Sequence, residues 1–283
     1  MTTEQQGQAT HQTSPIFALD SVTQADERCQ GVVLVTASHG GRYTGYLAAK
    51  AKVRAAIFND AGVGLDQAGI GGLAYLQDLG IPAATVAHTS CKIGDVRDMA
   101  DRGLISHANE LAQQFGCVPG LKLRDAAARL VAALTVDTGE IEPVSEGRFL
   151  LRENDDGPKV WGLDSASLVS PADVGQIVVT GSHGGLMGGD PALAIKANVL
   201  AALFNDAGFG VDRAGVTRLP ALAERGIVAA TVGHQSARIG DARSSWETGR
   251  LSYANKIAGE AGAQRDMPVQ EFCERVIAWR KKG

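Results

Sequence analysis

The sequence predicts an α/β fold made by tandem duplication of a βαβαβα unit, with mainly parallel sheets and a pseudo-two-fold relation between the copies. Residues 17–135 recur as residues 161–281. Each copy alternates β-branched runs with amphipathic stretches, the order typical of βαβ units. Polar residues follow the core strands in both copies, where parallel sheets bind ligands. A repeat of this length therefore decides the fold class before any single element is assigned.

The predicted division of the chain follows from the repeat. We expect an N-terminal arm at residues 1–15, a first α/β repeat at 16–135, a connection at 136–160 and a second α/β repeat at 161–283. The arm is polar and rich in Gln and Thr, so we expect it to be disordered and not to be a signal peptide. The connection is rich in Gly, Glu and Asp, and residues 153–157 fit a hairpin turn.

Strands are predicted first, because short apolar runs closed by glycine are typical of buried parallel strands. Each copy begins with a short strand, at residues 16–21 and 160–165. Three core strands follow in each copy, at residues 31–36, 53–58 and 83–87, matched by 175–180, 199–204 and 229–233. Each repeat is therefore expected to form a layer of three or four strands with right-handed crossovers.

Helices are predicted between and after these strands. The first spans about residues 46–52, and its twin begins at Asp190-Pro191, an N-cap followed by proline. The second ends at Gly80, as expected of a C-terminal glycine. A longer helix is expected after Asp95, to about Gln114, and again after Asp241, to about Ala261. The last helix of each copy is amphipathic.

Composition limits the class of partner. The chain is 45% hydrophobic and 20% charged, with a net charge of −4 and no basic stripe, which argues against nucleic acid. No apolar run approaches the roughly 20 residues that span a bilayer, so no membrane partner is expected. The four cysteines show neither pairing nor metal-type spacing, which fits a reducing cytoplasm. We expect a small-molecule partner, and a homo-oligomer remains open.

The first shared motif is a Ser-His-Gly-Gly stretch after a core strand. It consists of Ser38, His39, Gly40 and Gly41, matched by Ser182, His183, Gly184 and Gly185. Glycines let the backbone approach a ligand, and a following helix N-terminus attracts anions. The histidines are candidate acid–base catalysts or metal ligands, and the serines are candidate nucleophiles. The structural alternative for the glycines is a tight strand-to-helix turn.

The second shared motif closes the next strand. Asn59-Asp60 recurs as Asn205-Asp206, each followed by Ala-Gly. The aspartates are candidates to orient a catalytic histidine or to bind a cation, and the asparagines are candidates for substrate binding. The structural alternative is an Asx turn, in which the side chain bonds a nearby backbone amide.

The third shared motif pairs a histidine with a serine and a cation. Its members are His88, Ser90 and Lys92, matched by His234, Ser236 and Arg238. Residues two apart in an extended stretch point to the same side, so each histidine can position its serine or a water molecule. The cations are candidates for binding an anionic substrate, or alternatively for salt bridges to Asp95 and Asp241.

Together the motifs predict a Ser/His/Asp site at one sheet edge and an enzyme of small-molecule metabolism. The first hypothesis is a hydrolase of an amide or cyclic amide with an anionic or cyclic substrate. The Ser-x-Gly-Gly stretch resembles the strand-end serines of repeat-built ring-opening amidohydrolases, although those carry three repeats and paired lysines and the match covers only a few residues. The Gly-x-Ser-x-Gly elbow of ordinary α/β-hydrolases is absent.

Three alternatives remain open. A racemase, isomerase or lyase would use paired His/Asp bases in a pseudo-symmetric pocket, which suits retention of both sets. A metal-dependent hydrolase would use His39, Asp60 and His88 as ligands, so a divalent metal is an open alternative to having no cofactor. A non-catalytic binder of small anions is the third. Cys91 is a further candidate nucleophile, although its counterpart is Ala237.

Overall fold

The computed structural model describes residues 14–281, so most of the predicted disordered arm lies outside the described residues. The first repeat forms a sheet of five strands, β1 (Ile16–Leu19), β2 (Val33–His39), β3 (Ala55–Asn59), β4 (Ala83–Val86) and β5 (Ile105–Ala108). The second sheet has six strands, β6 (Arg148–Arg152), β7 (Val160–Leu163), β8 (Ile177–His183), β9 (Ala201–Asn205), β10 (Val228–Val232) and β11 (Leu251–Ala254).

α-Helices lie between or after several of these strands. In chain order they are α1 (Arg42–Lys50), α2 (Gly71–Asp78), α3 (Val96–Arg102), α4 (Glu110–Gln114), α5 (Leu123–Leu130), α6 (Arg218–Glu224), α7 (Ala242–Glu247), α8 (Lys256–Glu260) and α9 (Val269–Arg280). The predicted α/β class with mainly parallel sheets is confirmed. None of the helices within residues 14–281 has both the length and the apolar character needed to cross a bilayer.

Within each sheet the strands lie side by side in the order of the chain. Strands β1 to β4 are parallel and β5 is antiparallel; β7 to β10 are parallel, and β6 and β11 pair antiparallel at the two edges. The strand order never reverses within the described sheets, so neither sheet has the crevice that a reversal would create. A ligand site between the repeats needs no such crevice.

Three helix predictions are wrong. The helix expected from Asp95 to Gln114 is instead α3, the antiparallel edge strand β5 and the short helix α4, and its twin after Asp241 is instead α7, β11 and α8. The helix expected from Asp190-Pro191 is replaced by two 3₁₀ turns, Met187–Gly189 and Pro191–Leu193. Gly188 has a φ of 57° inside the first turn, a left-handed conformation that interrupts an α-helix.

Each sheet is covered on both faces. In the first repeat Leu34 and Phe58 pack with α1 and α2, whereas Val33 and Val35 pack with α3 and α5. Successive residues of a strand point to opposite faces, so a continuous apolar run such as β2 serves both layers. The second repeat has the same two-sided core.

Matched residues of the two repeats make reciprocal contacts. The backbone N–H of Leu65 donates to the His234 carbonyl at 2.8 Å, and that of Val211 donates to the His88 carbonyl at 2.9 Å. A small apolar cluster lies between the repeats, made of Ala61, Ala68, Ile93, Ala207, Ala214 and Ile239. The repeats therefore pack directly against each other through the loops that carry the shared motifs.

These contact loops are strained in the same way in both copies. Ala61 and Val63 have φ values of 49° and 62°, and their counterparts Ala207 and Phe209 have 48° and 60°. Positive φ is uncommon for residues with a β-carbon, and it is a true outlier for a β-branched one. Such strain persists only where surrounding contacts hold it, and here the opposite repeat supplies them.

Candidate functional site

A cavity of about 200 Å³ lies between the repeats and is lined from both. Its volume corresponds to roughly six or seven water molecules, at about 30 Å³ each, which fits a small molecule. Matched positions face it, namely Ser21 and Ser165, Thr23 and Ser167, Ser38 and Ser182, and His39 and His183. The structure therefore brings the Ser-His motifs of both copies to one shared space.

His39 ends strand β2, directly before the glycines that lead into α1. The backbone N–H of Gly41 donates to Nδ1 of His39 at 3.1 Å, and that of Gly185 donates to Nδ1 of His183 at 3.2 Å. A ring nitrogen that accepts a hydrogen bond carries no proton, so in the neutral imidazole the proton is on Nε2. Both histidines are thus held as Nε2–H donors.

Both imidazoles are neutral near pH 7. Burial lowers the pKa of His39 to about 4. Burial also holds the pKa of His183 well below its usual range, and the nearby positive charge of Arg218 and the proximity of His39 lower it further. A neutral imidazole that donates from Nε2 can polarise a carbonyl group or hold a developing oxyanion.

The serines of the first motif form hydrogen bonds with backbone N–H groups. The Ser38 hydroxyl oxygen accepts the Val22 N–H at 2.9 Å, and the Ser182 oxygen accepts the Ala166 N–H at 2.9 Å. Within residues 14–281, neither hydroxyl is hydrogen-bonded to a histidine, so no base is placed to activate it as a nucleophile. Their remaining capacity is to donate a hydrogen bond to a ligand in the cavity.

The glycine amides of the first motif are already used inside the fold. The Gly40 and Gly184 N–H groups donate to the Asn59 and Asn205 carbonyls, each at 2.8 Å. The Gly41 and Gly185 N–H groups donate to the histidine rings. These amides therefore hold the strand-end turn and orient the imidazoles, and they are not free to form an oxyanion hole.

Two further carboxyl groups line the cavity, Glu146 and Asp164, and of these Glu146 was missed from the sequence. Burial raises the pKa of Glu146 to about 7, with neighbouring Asp164 contributing to the rise and Ser165 opposing it. Burial also raises the pKa of Asp164. Glu146 comes from the connection between the repeats and has no counterpart, so comparison of the copies gave no signal for it. It is the cavity group poised to exchange a proton near neutral pH.

Arg218 was also missed, and it lines the same cavity. Its side chain is buried, and burial lowers its pKa to about 10, so it stays charged at pH 7. Counting from the matched Phe58 and Phe204, it stands opposite Gly72 of the first repeat. That mismatch inside a well-matched segment was a readable signal, but it lay outside the shared motifs on which the predictions were based.

Asp60 and His88 do come together, but outside the lining of this cavity. One Asp60 oxygen accepts hydrogen bonds from the His88 ring Nδ1 at 2.8 Å, the His88 backbone N–H at 2.9 Å and the Gly62 N–H at 3.1 Å. Burial raises the pKa of Asp60, but the His88 hydrogen bonds outweigh it and leave this pKa below its usual value.

Asp206 and His234 form the same dyad in the second repeat, with 2.9 Å between the carboxylate and Nδ1. Each histidine ring lies against a glycine of the other copy. A β-carbon on Gly208 would lie 2.8 Å from Cδ2 of His88, and one on Gly62 would lie 2.9 Å from Cδ2 of His234. The dyads therefore stabilise the contact between the two repeats, which gives a structural reason why both copies retain them.

The asparagines and the second pair of serines bond nearby backbone. The Asn59 and Asn205 side-chain oxygens accept the N–H of the residue two positions on, which is the Asx turn that the sequence allowed. The Ser90 hydroxyl donates to the Ala87 carbonyl and accepts the Leu104 N–H. Ser236 makes the matching bonds to Gly233 and Arg250. These four side chains do not line the cavity.

The predicted anion-binding cations also lie away from the cavity lining. Arg238 pairs with Asp241, as the salt-bridge alternative expected, and with Asp66 of the other repeat. Lys92 lies 3.6 Å from Asp212, again across the repeat contact. Exposed pairs of this kind contribute little stability, so their main effect is to complement charge between the two repeats.

Residues 14–281 form no site that would support Cys91 as a nucleophile or hold a metal ion. Cys91 is fully buried, and burial raises its pKa to about 12, which disfavours the nucleophilic thiolate. Among the described residues, 14–281, no three His, Cys, Asp or Glu side chains are grouped as metal ligands. The set of His39, Asp60 and His88 is therefore not assembled in this part of the chain.

Comparison with protein-family models, with curated proteins and with solved structures finds no match for this chain. The basis for assigning a function is therefore the chemistry of the cavity. Its lining has two neutral imidazoles, one carboxyl group with a pKa of about 7 and one buried guanidinium group.

Proposed function

We propose that the chain is an enzyme that hydrolyses an amide or cyclic amide bond of a small molecule in the cavity between the repeats. The carrying observation is that His39 and His183, from equivalent strand ends, face one cavity that also contains Glu146. This combination supplies both a proton acceptor and donors for a developing negative charge.

Water is the nucleophile in this proposal, because no base is bonded to Ser38 or Ser182. Ionised Glu146 takes a proton from water as the hydroxide oxygen bonds to the amide carbon. The carbonyl electron pair moves onto oxygen, where the Nε2–H groups of His39 and His183 donate to it. When the C–N bond breaks, Glu146 returns its proton to the leaving nitrogen, so the carboxyl group ends in its starting state.

A small substrate suits the cavity volume of about 200 Å³. A cytoplasmic location suits the four cysteines, all of which are free and buried. We keep small molecules as the proposed partners, and the acidic net charge of −4 supports no nucleic-acid role.

One probe tests the proposal. Purified full-length protein is incubated with L-5-oxoproline, a cyclic amide that also carries a carboxylate, in H₂¹⁸O, and the products are measured by mass spectrometry. Hydrolysis is expected to give the ring-opened acid with one ¹⁸O atom, and Glu146→Gln is expected to abolish it. Succinimide and hydantoin extend the test to uncharged rings. No ring opening of any probe, or unchanged turnover by the Glu146→Gln protein, would contradict the proposal.

An isomerase or racemase is the second candidate, favoured by the equivalent positions of the two imidazole donors on the cavity wall. In that reaction Glu146 removes a proton next to a carbonyl group, and the Nε2–H groups hold the enolate oxygen. Incubation of L-5-oxoproline in D₂O distinguishes the reactions by proton NMR. Exchange of the α-proton without ring opening supports the isomerase, and ring opening without exchange excludes it for this probe.

A further inference from the structure

The side chain of Arg218 occupies a position that is filled by backbone atoms in the first repeat. A β-carbon on Gly72, its counterpart, would lie 2.5 Å from the Gly41 carbonyl oxygen and 2.8 Å from that of Gly40, because α1 begins there and packs closely. In the second repeat the turns at residues 187–193 replace this helix. The resulting space admits a long side chain, and the sequence places arginine in it.

The guanidinium of Arg218 is buried without a carboxylate partner among the described residues. Its Nε donates to the Gly185 carbonyl at 2.9 Å, and its Nη1 donates to the carbonyls of Leu193 and Ala194. Its Cζ lies 5.2 Å from the centre of the Phe204 ring. Within residues 14–281, Nη2 donates to no protein acceptor, although the side chain is 5% exposed and lines the cavity.

A buried positive charge without an anionic partner is costly unless a ligand supplies one. We infer that Arg218 is a substrate-binding residue whose Nη2–H group donates a hydrogen bond to a carboxylate group of the substrate. This inference rests on the proposed function, in that it places the substrate in the same cavity, and it names the substrate class as small carboxylated amides.

The charges around the cavity favour a monoanion. Arg218 and Lys196 are the cations of its lining, and Lys196 is exposed and donates to the Ser167 carbonyl at 2.7 Å. Asp164 and Glu146 are the carboxyl groups of the same lining. Inorganic phosphate, with an average charge of about −1.5 at neutral pH, would meet more repulsion from them than a carboxylate would. One free Nη2 also suits one carboxylate better than three phosphate oxygens.

Binding without turnover tests the inference, so it can fail or succeed independently of the proposed hydrolysis. Dissociation constants for propionate, propionamide and inorganic phosphate are measured by ligand-observed NMR on full-length protein. Propionate and propionamide have nearly the same shape but differ in charge. We expect propionate to bind about tenfold or more tightly than propionamide, as a charge-assisted hydrogen bond implies. Equal binding of the two, or tighter binding of phosphate, would overturn the inference.

Two variants test whether Arg218 causes the preference for propionate over propionamide. Arg218→Gln is expected to remove the preference for propionate over propionamide. Arg225→Gln is the matched control, because Arg225 also donates to carbonyls of the adjacent segment, Ile195 and Ala197, but does not line the cavity. The control is expected to keep the preference, and its loss in both variants would overturn the inference.

A second measurement avoids any folding defect of the Arg218→Gln protein. Wild-type protein is treated with 2,3-butanedione, which modifies arginine, with and without propionate, and the modified peptides are mapped by mass spectrometry. Propionate is expected to protect Arg218 severalfold and to leave Arg225 unchanged. Equal modification of Arg218 in both samples would overturn the assignment.

Discussion

Gly62 and Gly208 lie back to back at the contact between the repeats, where a β-carbon on Gly62 would lie 2.9 Å from Cα of Gly208. The reverse distance, from a β-carbon on Gly208 to Cα of Gly62, is 3.0 Å. Only hydrogen fits between the two backbones. The loops that carry Asp60 and Asp206 therefore contact each other directly through these two glycines.

The first prediction concerns this close approach. Gly62→Ala is expected to lower the free energy of unfolding by about 1–2 kcal/mol for positive φ and about 1–3 kcal/mol more for overpacking. Chemical denaturation measures the change. Gly226→Ala is the control, because Gly226 has a similar φ of 71° but no atom within 4 Å of a β-carbon. Equal losses in the two variants would mean that the repeats do not approach as described.

The second prediction concerns the Asp60–His88 dyad. The folded-state pKa of Asp60 is lowered from 3.8, so its ionised form stabilises the fold at pH values above about 3.8. Asp60→Asn is expected to lower the free energy of unfolding by about 1–3 kcal/mol at pH 7. The difference from wild type is expected to close as pH falls below that value. Urea denaturation at pH 7 and pH 3 measures both quantities.

Asp26→Asn is the control for this pH effect. Asp26 also has a lowered pKa, caused by its hydrogen bonds with Arg28, but its side chain is exposed. Its replacement is expected to leave stability unchanged within error at both pH values. A constant loss for Asp60→Asn at pH 7 and pH 3 would contradict the linkage to ionisation.

The third prediction separates the cavity from the dyads. His39→Ala and His183→Ala are expected each to lower kcat by about 10²–10³, the usual effect of removing one oxyanion donor. His39→Gln retains an N–H group near the position of Nε2 and is expected to recover part of the rate. His88→Ala is expected to reduce stability but to leave kcat within a fewfold of wild type. The opposite pattern would move catalysis to the dyads.

The fourth prediction follows from Glu146. Its folded-state pKa is raised from 4.5 to about 7, so between these pH values the folded chain keeps a proton that the unfolded chain releases. The contribution of Glu146 to stability therefore falls as pH rises through this window. Glu146→Gln is expected to be more stable than wild type by about 1–3 kcal/mol at pH 8 and to match it at pH 4. Thermal and urea denaturation at both values measure the difference.

Activity gives a second measure of the same group. If Glu146 takes a proton from water, kcat/KM is expected to rise with pH up to about 7 and then to level. The Glu146→Gln protein is expected to lose this rising limb. A rate that falls as pH rises through 7 would show that the protonated carboxyl group is the active form.

Much of the fold was predictable, because strong periodic signals lie in buried strands. The runs that became β2, β3 and β4 were placed within a few residues. The strand β5 was missed because its sequence, Ile-Ser-His-Ala, contains two polar residues and lacks the apolar run that marked the predicted strands. The second copy of α1 was misread because the Asp190-Pro191 signal starts a 3₁₀ turn as well as an α-helix.

The candidate site was predictable only in part. His39 and His183 line one cavity, together with their chain neighbours Ser38 and Ser182. Retention in both copies also selected the dyads, because a contact between two similar units needs the same residues on both sides. Glu146 lies outside the repeat and Arg218 departs from it, so a search for residues retained in both copies selected neither.

Those two departures from the repeat have a consequence for selectivity. A cavity lined by two identical repeats would accept a compound in two equivalent orientations. A single acid from the connecting segment and a single guanidinium from the second half make the orientations unequal in energy. In the proposed site a substrate is therefore expected to bind in one preferred orientation, with the proposed reaction at one of its two ends.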